Sequence, residues 1–205
     1  MEYFISVRAF VALPLPTDMK AALAGLLPAL QRAAPAKLAF VRPETWHLTL
    51  TFLGDVPLDG PMGLPALASA LAAVDFSPFD LTPGGGVFFP DPARPRVVAV
   101  GLAAGAPACR ELAAGVEGAL AALGFPRQTR AFTPHLTVAR IRAVPGRRTD
   151  APGRGDWRGV AGHLARAVWP TCRMDRFVLY KSLLGPGGAR HEALREFPAR
   201  GDGRA

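Results

Sequence analysis

The sequence predicts an α+β fold in which two lobes of antiparallel sheet and helices face each other across a central cleft. Segments with the strand period and with the helix period are mixed in both halves of the chain, as is typical of this class. A segment of the pattern R-x-x-T-x-H-L-T also occurs twice, at 42–49 and at 130–137, as expected for two similar lobes. No linker is long enough to separate independent units, so residues 1–205 are expected to form one bilobal domain.

In the first half of the chain, Thr17 follows a Pro-Leu-Pro break and is predicted to be a helix N-cap. The three glycines at 84–86 predict a bulge or turn, because they lack the Lys-Ser/Thr that a phosphate loop of the P-loop type requires. The predicted elements are a strand at 4–13, a helix at 18–33, a strand at 38–41, the first histidine strand at 46–53, a helix at 64–74, and strand pieces at 79–82 and 87–89.

In the second half, Gly124 is predicted to end a helix as its C′ residue. The segment 142–158 is predicted to be a loop, either a solvated surface loop or a basic rim beside the second histidine, where Arg147 and Arg148 would contact RNA. The other predicted elements are a strand at 96–102, a helix at 107–123, the second histidine strand at 132–140, a strand at 175–184, a turn at 185–188 and a terminal strand at 190–197.

The two histidine strands carry most of the functional information in the sequence. Side chains alternate between the two faces of a strand, so His47 and Thr49 are predicted to share one face while Leu48 points to the other. The second strand repeats this arrangement with His135 and Thr137. Each strand is therefore predicted to present an imidazole and a hydroxyl side by side over an apolar backing.

Such a pair of strands favours phosphoester chemistry. Transfer of a phosphoryl group to water needs a base and an acid, and histidine serves as either near neutral pH, so His47 and His135 are the candidate catalytic residues. Thr49 and Thr137 are candidate phosphate-binding residues, because their hydroxyls can donate hydrogen bonds to non-bridging oxygens. Arg140 is a further candidate contact of the phosphate, although strict alternation would turn it away from His135 unless a bulge intervenes.

Other readings of these residues are weaker. A single histidine on a strand is more often structural than catalytic, but two in matching contexts reverse that expectation. The histidines show no metal-ligand spacing, and no G-x-S-x-G motif indicates a serine nucleophile, so no metal and no cofactor are predicted. His163, on a predicted helix, and His191 are expected to be surface or structural residues. Thr51 is expected to share the face of Thr49. Cys109 and Cys172 receive no chemical role.

Composition sets broad limits on the function. The chain has a formal net charge of +8, which favours polyanionic partners such as nucleic acid, although arginine-rich composition alone can produce such a charge. No apolar run reaches the roughly 18 residues that a membrane helix requires, and the N-terminus shows no signal-peptide pattern. A cytoplasmic protein that binds no membrane is therefore expected.

The histidine motifs and several flanking segments together resemble a known family. The flanking matches are F-L-G-D after the first H-L-T, P-H-L-T-V-A-R around the second, R-A-F-V-A at 8–12, P-R-V-V at 95–98, L-Y-K-S at 179–182 and G-A-R-H-E at 188–192, where the family more often has Tyr in place of His191. Over roughly residues 3 to 198, the chain resembles the LigT-like RNA 2′,3′-cyclic phosphodiesterases, also named 2′-5′ RNA ligases, of the two-histidine phosphoesterase superfamily.

The resemblance implies the two-histidine phosphoesterase fold and metal-independent hydrolysis of a 2′,3′-cyclic phosphate on RNA ends or nucleotides, which leaves a 2′-phosphate. Some members of the family also join RNA ends through a 2′-5′ bond without ATP. Of the two histidines, His135 is favoured as base and His47 as acid, and a monomer is expected. Two alternatives stay open: another small cyclic substrate such as ADP-ribose 1″,2″-cyclic phosphate, and a protein that binds RNA ends without turnover.

Overall fold

The computed structural model describes residues 6–141, 155–185 and 188–200. In chain order its elements are β1 (Ser6–Pro14), α1 (Thr17–Ala33), β2 (Leu38–Phe40), a 3₁₀ turn (Pro43–Thr45), β3 (His47–Pro57), α2 (Leu64–Ala72), β4 (Phe79–Phe89), β5 (Val97–Ala104), α3 (Ala106–Ala122), β6 (Leu136–Ile141), α4 (Arg158–Arg166), β7 (Cys172–Met174), β8 (Arg176–Gly185) and β9 (Gly188–Pro198).

The strands form two antiparallel sheets, which confirms the predicted α+β class with two lobes. The first sheet has the order β3-β1-β8-β9, and the second has the order β2-β6-β5-β4-β7. His47 and Thr49 lie in β3 of the first sheet. His135 immediately precedes β6 of the second sheet, and Thr137 lies in that strand, so each sheet presents one of the two motifs. Strands β3 and β6 also contact each other, which brings the motifs to a common boundary between the lobes.

The chain passes repeatedly between the two sheets. Strand β2 lies in the second sheet although β1 and β3, before and after it, pair in the first. After β7 the chain returns to the first sheet, where β8 pairs with β1. A single domain over residues 1–205 stays a prediction, and these crossings support it because neither lobe is made from one continuous stretch.

The apolar core lies on the faces of the sheets that the histidine motifs do not occupy. In the first sheet, Leu48 is fully buried in the continuous core cluster. In the second sheet, the core residues Leu136 and Val100 lie opposite each other, and Val100 also lies opposite Gly86. These three positions therefore lie on the core face of the second sheet. A side chain at Gly86 would approach Ala161 of α4 to 3.4 Å, so α4 packs on this core face of the second sheet.

The predicted N-cap of α1 is wrong by one residue. Pro16 occupies the N-cap position with extended φ of −69° and ψ of 162°, and its carbonyl accepts the first helical bond from the Lys20 N–H. Thr17 is therefore already the first helical residue. The nearest side-chain interaction at this helix start comes from Asp18, which accepts a hydrogen bond from the Met19 N–H. A proline supplies the extended backbone that the position needs but no capping oxygen.

Strand β3 is longer than the sequence predicted. Gly54 was expected to end the strand, but β3 continues to Pro57, which pairs with Ser6. Gly54 adopts φ of 74°, at a register shift opposite the step from Ala9 to Phe10. A glycine with positive φ allows a bulge rather than a chain reversal, so the strand bends and goes on.

The predictions of a bulge in β4 and of a helix stop at Gly124 are confirmed. The two strand pieces join into one strand, and its register shifts twice between Thr82 and Gly86 around the three glycines. At the end of α3, the Gly124 N–H bonds to the Ala121 carbonyl and the Phe125 N–H to the Leu120 carbonyl. This is the pairing of a Schellman motif, and Gly124 takes its left-handed φ of 93°.

The predicted loop at 142–158 falls mostly outside the described residues, and so do Arg147 and Arg148. The loop was predicted to extend to residue 158, but α4 already begins at Arg158. The Arg158 guanidinium there donates hydrogen bonds to both carboxylate oxygens of Asp156, at 2.8–3.1 Å. In the described ranges, no helix is both long enough and apolar enough to cross a membrane.

Candidate active site

His47 is held by two hydrogen bonds that fix its tautomer. Its Nδ1 lies 2.7 Å from the Thr45 carbonyl oxygen, which can only accept, so Nδ1 carries the proton. Its Nε2 lies 2.9 Å from the Thr49 hydroxyl, which then donates to it. The alternation predicted for this strand is thus confirmed at His47 and Thr49. An imidazole anchored through Nδ1 presents Nε2 as the atom that can accept or donate a proton.

His135 is anchored in the same way. Its Nδ1 lies 2.7 Å from the carbonyl oxygen of Thr133, at the same spacing in the repeat as Thr45 has from His47. The ring also contacts Phe89 at the end of β4, with centroids 4.6 Å apart. The second histidine strand is shorter than predicted. Strand β6 begins at Leu136, so His135 immediately precedes the strand.

Matching bulges interrupt both histidine strands. In β3 the register shifts between the pairs Ala12–Thr49 and Val11–Thr51. The extra residue turns Thr51 towards the core, where it is 8% exposed. The prediction that Thr51 shares the face of Thr49 is therefore wrong. Phe52 instead returns to the cleft face and is 68% exposed.

In β6 the corresponding bulge brings Arg140 to the cleft face. Thr137 lies opposite Ala99, and Arg140 lies opposite Val97. Ala99 and Val97 are two residues apart on β5, so they lie on the same face of the sheet, and each shares that face with its partner on β6. Thr137 and Arg140 therefore lie on the same face of the second sheet, and Arg140 is exposed there. Arg140 stands five residues after its histidine, as Phe52 does in the first repeat, so the two lobes offer a cation and an aromatic ring at equivalent positions.

His47 is a neutral imidazole in the free protein. Burial lowers its pKa from 6.5 to about 4, while the hydrogen bond to Thr45 acts in the opposite direction. Positive charge on His191, Lys20 or His135 lowers this pKa further. His135 is thus near enough to His47 to act on it electrostatically, although the two residues belong to different sheets, in keeping with the contact between β3 and β6.

Three aromatic rings that the sequence did not assign to the site surround His47. Phe10 lies 4.7 Å from the His47 ring, His191 lies 5.2 Å from it, and Tyr180 lies 6.3 Å from it, all between centroids. His191, which was expected to be a surface or structural residue, is half-buried and packs against His47. Strands β3 and β9 are opposite edges of the first sheet, so contact between His47 and His191 requires the sheet to curl into a half-barrel.

Arg42, the first residue of the repeat, has a structural contact. Its guanidinium donates a hydrogen bond to the Ala189 carbonyl of β9, at 2.7 Å, and so ties the turn before β3 to the opposite edge of the curled sheet. As for metals, no three His, Cys, Asp or Glu side chains come together as a potential ligand set within the part of the chain that the structure describes.

Comparison with known proteins agrees with the internal repeat. The model of the LigT-like phosphoesterase family matches the chain twice, at residues 13–99 and at 100–191, so that each match contains one histidine motif. Among curated relatives, an RNA 2′,3′-cyclic phosphodiesterase of Thermus thermophilus is 33% identical over 96% of this chain and 92% of its own length. Another of that name, from Archaeoglobus fulgidus, is 30% identical over 93% of this chain and 99% of its own.

Solved structures share the fold. The crystal structure of TT0787 of Thermus thermophilus aligns with a TM-score of 0.71 and 27% identity, over 95% of this chain and 99% of that one. The LigT protein of E. coli complexed with 3′-AMP aligns over 95% and 99% of the two chains, with a TM-score of 0.69 and 24% identity. With the family model matched across both halves, the chain belongs to the LigT-like phosphoesterase family.

Proposed function

We propose that this phosphoesterase hydrolyses 2′,3′-cyclic phosphates at the ends of RNA or on nucleotides to 2′-phosphates, without a metal ion. The observation that supports the proposal is the pair of imidazoles, one from each repeat, each anchored through Nδ1 to a backbone carbonyl at 2.7 Å, which leaves Nε2 as its reactive nitrogen. The curated names of the relatives from Thermus thermophilus and Archaeoglobus fulgidus support this choice of substrate.

In the proposed reaction, a water molecule attacks the phosphorus atom while the bond from phosphorus to O3′ breaks. His135 takes the proton of the attacking water, and His47 gives a proton to the departing O3′. Thr49 and Thr137 donate hydrogen bonds to non-bridging oxygens, and Arg140 adds positive charge from the second lobe. If the 5′-hydroxyl of another RNA takes the place of water, the same ring opening forms a 2′-5′ bond without ATP.

The first test is incubation with an oligoribonucleotide that ends in a 2′,3′-cyclic phosphate, in the presence of EDTA, with the position of the product phosphate assigned by NMR. The proposal expects a 2′-phosphate and unchanged turnover in EDTA. A 3′-phosphate would mean that O2′ is the leaving group. Binding without turnover would contradict the proposal and favour a protein that only binds RNA ends, and turnover of ADP-ribose 1″,2″-cyclic phosphate alone would reassign the substrate.

Substrate binding should load a proton onto His47. In the free protein its pKa of about 4 leaves it neutral at pH 6, yet the proposed acid must be charged when the ring opens. A phosphodiester anion against Nε2 stabilises the imidazolium and raises this pKa. Binding of adenosine 2′,3′-cyclic phosphate to the His135→Ala variant at pH 6 should therefore take up about one proton.

The uptake is measured by titration calorimetry in buffers of different ionisation enthalpy. The nucleotide stays a monoanion near neutral pH, so any proton uptake belongs to the protein. The same titration of the double variant His47→Asn, His135→Ala is the control and should show no uptake. Absence of uptake in the single variant would mean that His47 stays neutral in the complex, which would reverse the assignment of acid and base.

The exposed ring of Phe52 should contribute to binding through the nucleobase. It lies on the cleft face beside Phe10, at 6.0 Å between centroids, where a base attached to the bound ribose could stack on it. Base stacking contributes at least about 1 kcal/mol, so Phe52→Ala should raise KM roughly fivefold or more for a cyclic nucleotide. Phe52→Trp should keep the wild-type KM, and a ribose cyclic phosphate without a base should show no effect of Phe52→Ala. An equal loss on both substrates would exclude stacking.

A further inference from the structure

His191 lies beside His47 but has no role in the proposed reaction. It lies on β9 opposite Ser182, and its ring meets those of Phe10 and His47 nearly edge to face, at 4.8 and 5.2 Å between centroids and at 77° and 84° between planes. A phosphate bound at Nε2 of His47 would therefore lie next to His191. The mechanism described above gives this third imidazole no part.

The two ring nitrogens of His191 have different surroundings. Nδ1 is buried and has no hydrogen-bond partner among the described residues. A buried N–H without an acceptor costs roughly 1–3 kcal/mol, so the neutral ring places its proton on Nε2 and leaves Nδ1 bare. The side chain as a whole is only half-buried, so Nε2 is the nitrogen left to face the cleft.

The surroundings of His191 favour its neutral form. Burial lowers its pKa, and the positive charge of Arg42 lowers it further. The carbonyl of Arg190 lies near the ring and offsets part of this lowering, but it makes no hydrogen bond to Nδ1. The carboxylate of Glu192 does not compensate, because the next residue of a strand points to the other face, where it pairs with Lys181 at 3.4 Å.

We propose that His191 is a substrate-binding residue that donates a hydrogen bond from the Nε2–H of its neutral ring to a phosphate oxygen. It holds the phosphate in front of His47 and transfers no proton itself. A neutral donor suits this place, because a second charged imidazole beside His47 would oppose the protonation of His47 that the reaction needs. The inference deepens the proposed function and rests on it.

Kinetics of His191→Phe and His191→Tyr test the proposal. Phe keeps the ring but has no donor, and the loss of a hydrogen bond to the charged phosphate should raise KM for adenosine 2′,3′-cyclic phosphate roughly 10- to 150-fold while kcat changes less than about twofold. Tyr restores an uncharged O–H donor and should recover most of that affinity. His163→Phe is the matched control, because α4 packs on the core face of the second sheet and not on the cleft face.

A second readout does not depend on turnover. In the His135→Ala variant, ¹⁵N NMR of His191 should show a neutral ring protonated on Nε2 both before and after the nucleotide is added, and the Nε2–H resonance should shift on binding. Wild-type KM in His191→Phe, or a His191→Tyr variant as weak as His191→Phe, would overturn the proposal. So would a charged His191 in the complex, or a loss confined to kcat. If wild type does not turn over the nucleotide, the proposed function fails while the NMR experiment still tests the contact.

Discussion

Replacing either cleft histidine with alanine should lower kcat at least about a hundredfold, because each imidazole is assigned one proton transfer and a general acid or base contributes roughly 10²- to 10⁴-fold. His47→Ala and His135→Ala should both fold. Their rings are half-buried at the cleft and are not part of the continuous apolar core. The effect should appear in kcat more than in KM, since proton transfer acts on the transition state.

The measurement is steady-state hydrolysis of a cyclic nucleotide, with thermal unfolding of each variant recorded in parallel. His163→Ala serves as the control, because it removes an imidazole from α4 and should leave kcat unchanged. Wild-type-like turnover by either variant would remove that histidine from the mechanism. Equal loss in a variant that no longer unfolds cooperatively would show only that the fold had been damaged.

Replacing the threonine of either motif with valine should cause the next largest loss of kcat/KM. Valine has nearly the same shape, so Thr49→Val and Thr137→Val remove a hydroxyl and little else. A hydrogen bond to a charged group contributes about 1.5–3 kcal/mol, which corresponds to roughly 10- to 150-fold in kcat/KM. Thr49 should show the smaller loss, because its hydroxyl must give up the hydrogen bond that it donates to Nε2 of His47 in the free protein, at 2.9 Å, before it can donate to the phosphate.

A matched control lies in the same strand. Thr51→Val makes the same chemical change two residues after Thr49, but the bulge turns Thr51 into the core at 8% exposure. Thr51→Val should therefore leave kcat/KM within about twofold of wild type, since it removes no group near the substrate. A loss as large as that of Thr49→Val would place Thr51 in the cleft and contradict the position of the bulge.

The sequence was sufficient to predict the local part of the site. Alternation along a strand depends only on neighbouring residues, so the pairing of His47 with Thr49 followed from their spacing. Thr45 and Thr133 were visible in the repeat, but their contribution comes from backbone carbonyls rather than from hydroxyls. A sequence pattern shows side-chain chemistry and cannot show which carbonyl an imidazole will meet.

The bulges could not be predicted from the sequence in the way that the local alternation could. Strict alternation places Thr51 on the cleft face and turns Arg140 away from it, and one extra residue in each strand reverses both results. Such an extra residue is defined by the partner strand, so it becomes visible only when the pairing of β3 with β1 and of β6 with β5 is known.

The position of His191 depends on contacts between residues that are far apart in the sequence. It reaches His47 only because the first sheet curls and because Arg42 bonds to Ala189, 147 residues later. Nothing local to residues 188–192 indicates either event. The order of strands in an antiparallel sheet and its curvature are tertiary properties, and a residue at a sheet edge can enter a site that its own segment does not suggest.

The path of the chain between the sheets also sets an order in which the protein can be made. Strands β2 and β4–β7 of the second sheet are all synthesised before residue 175, whereas β1 must wait for β8, which begins at Arg176. Until then one edge of β1 stays open, and an unpaired apolar strand edge invites association with other chains. A free chain that ends before Arg176 should therefore contain a formed second lobe, an aggregation-prone β1 and no complete cleft.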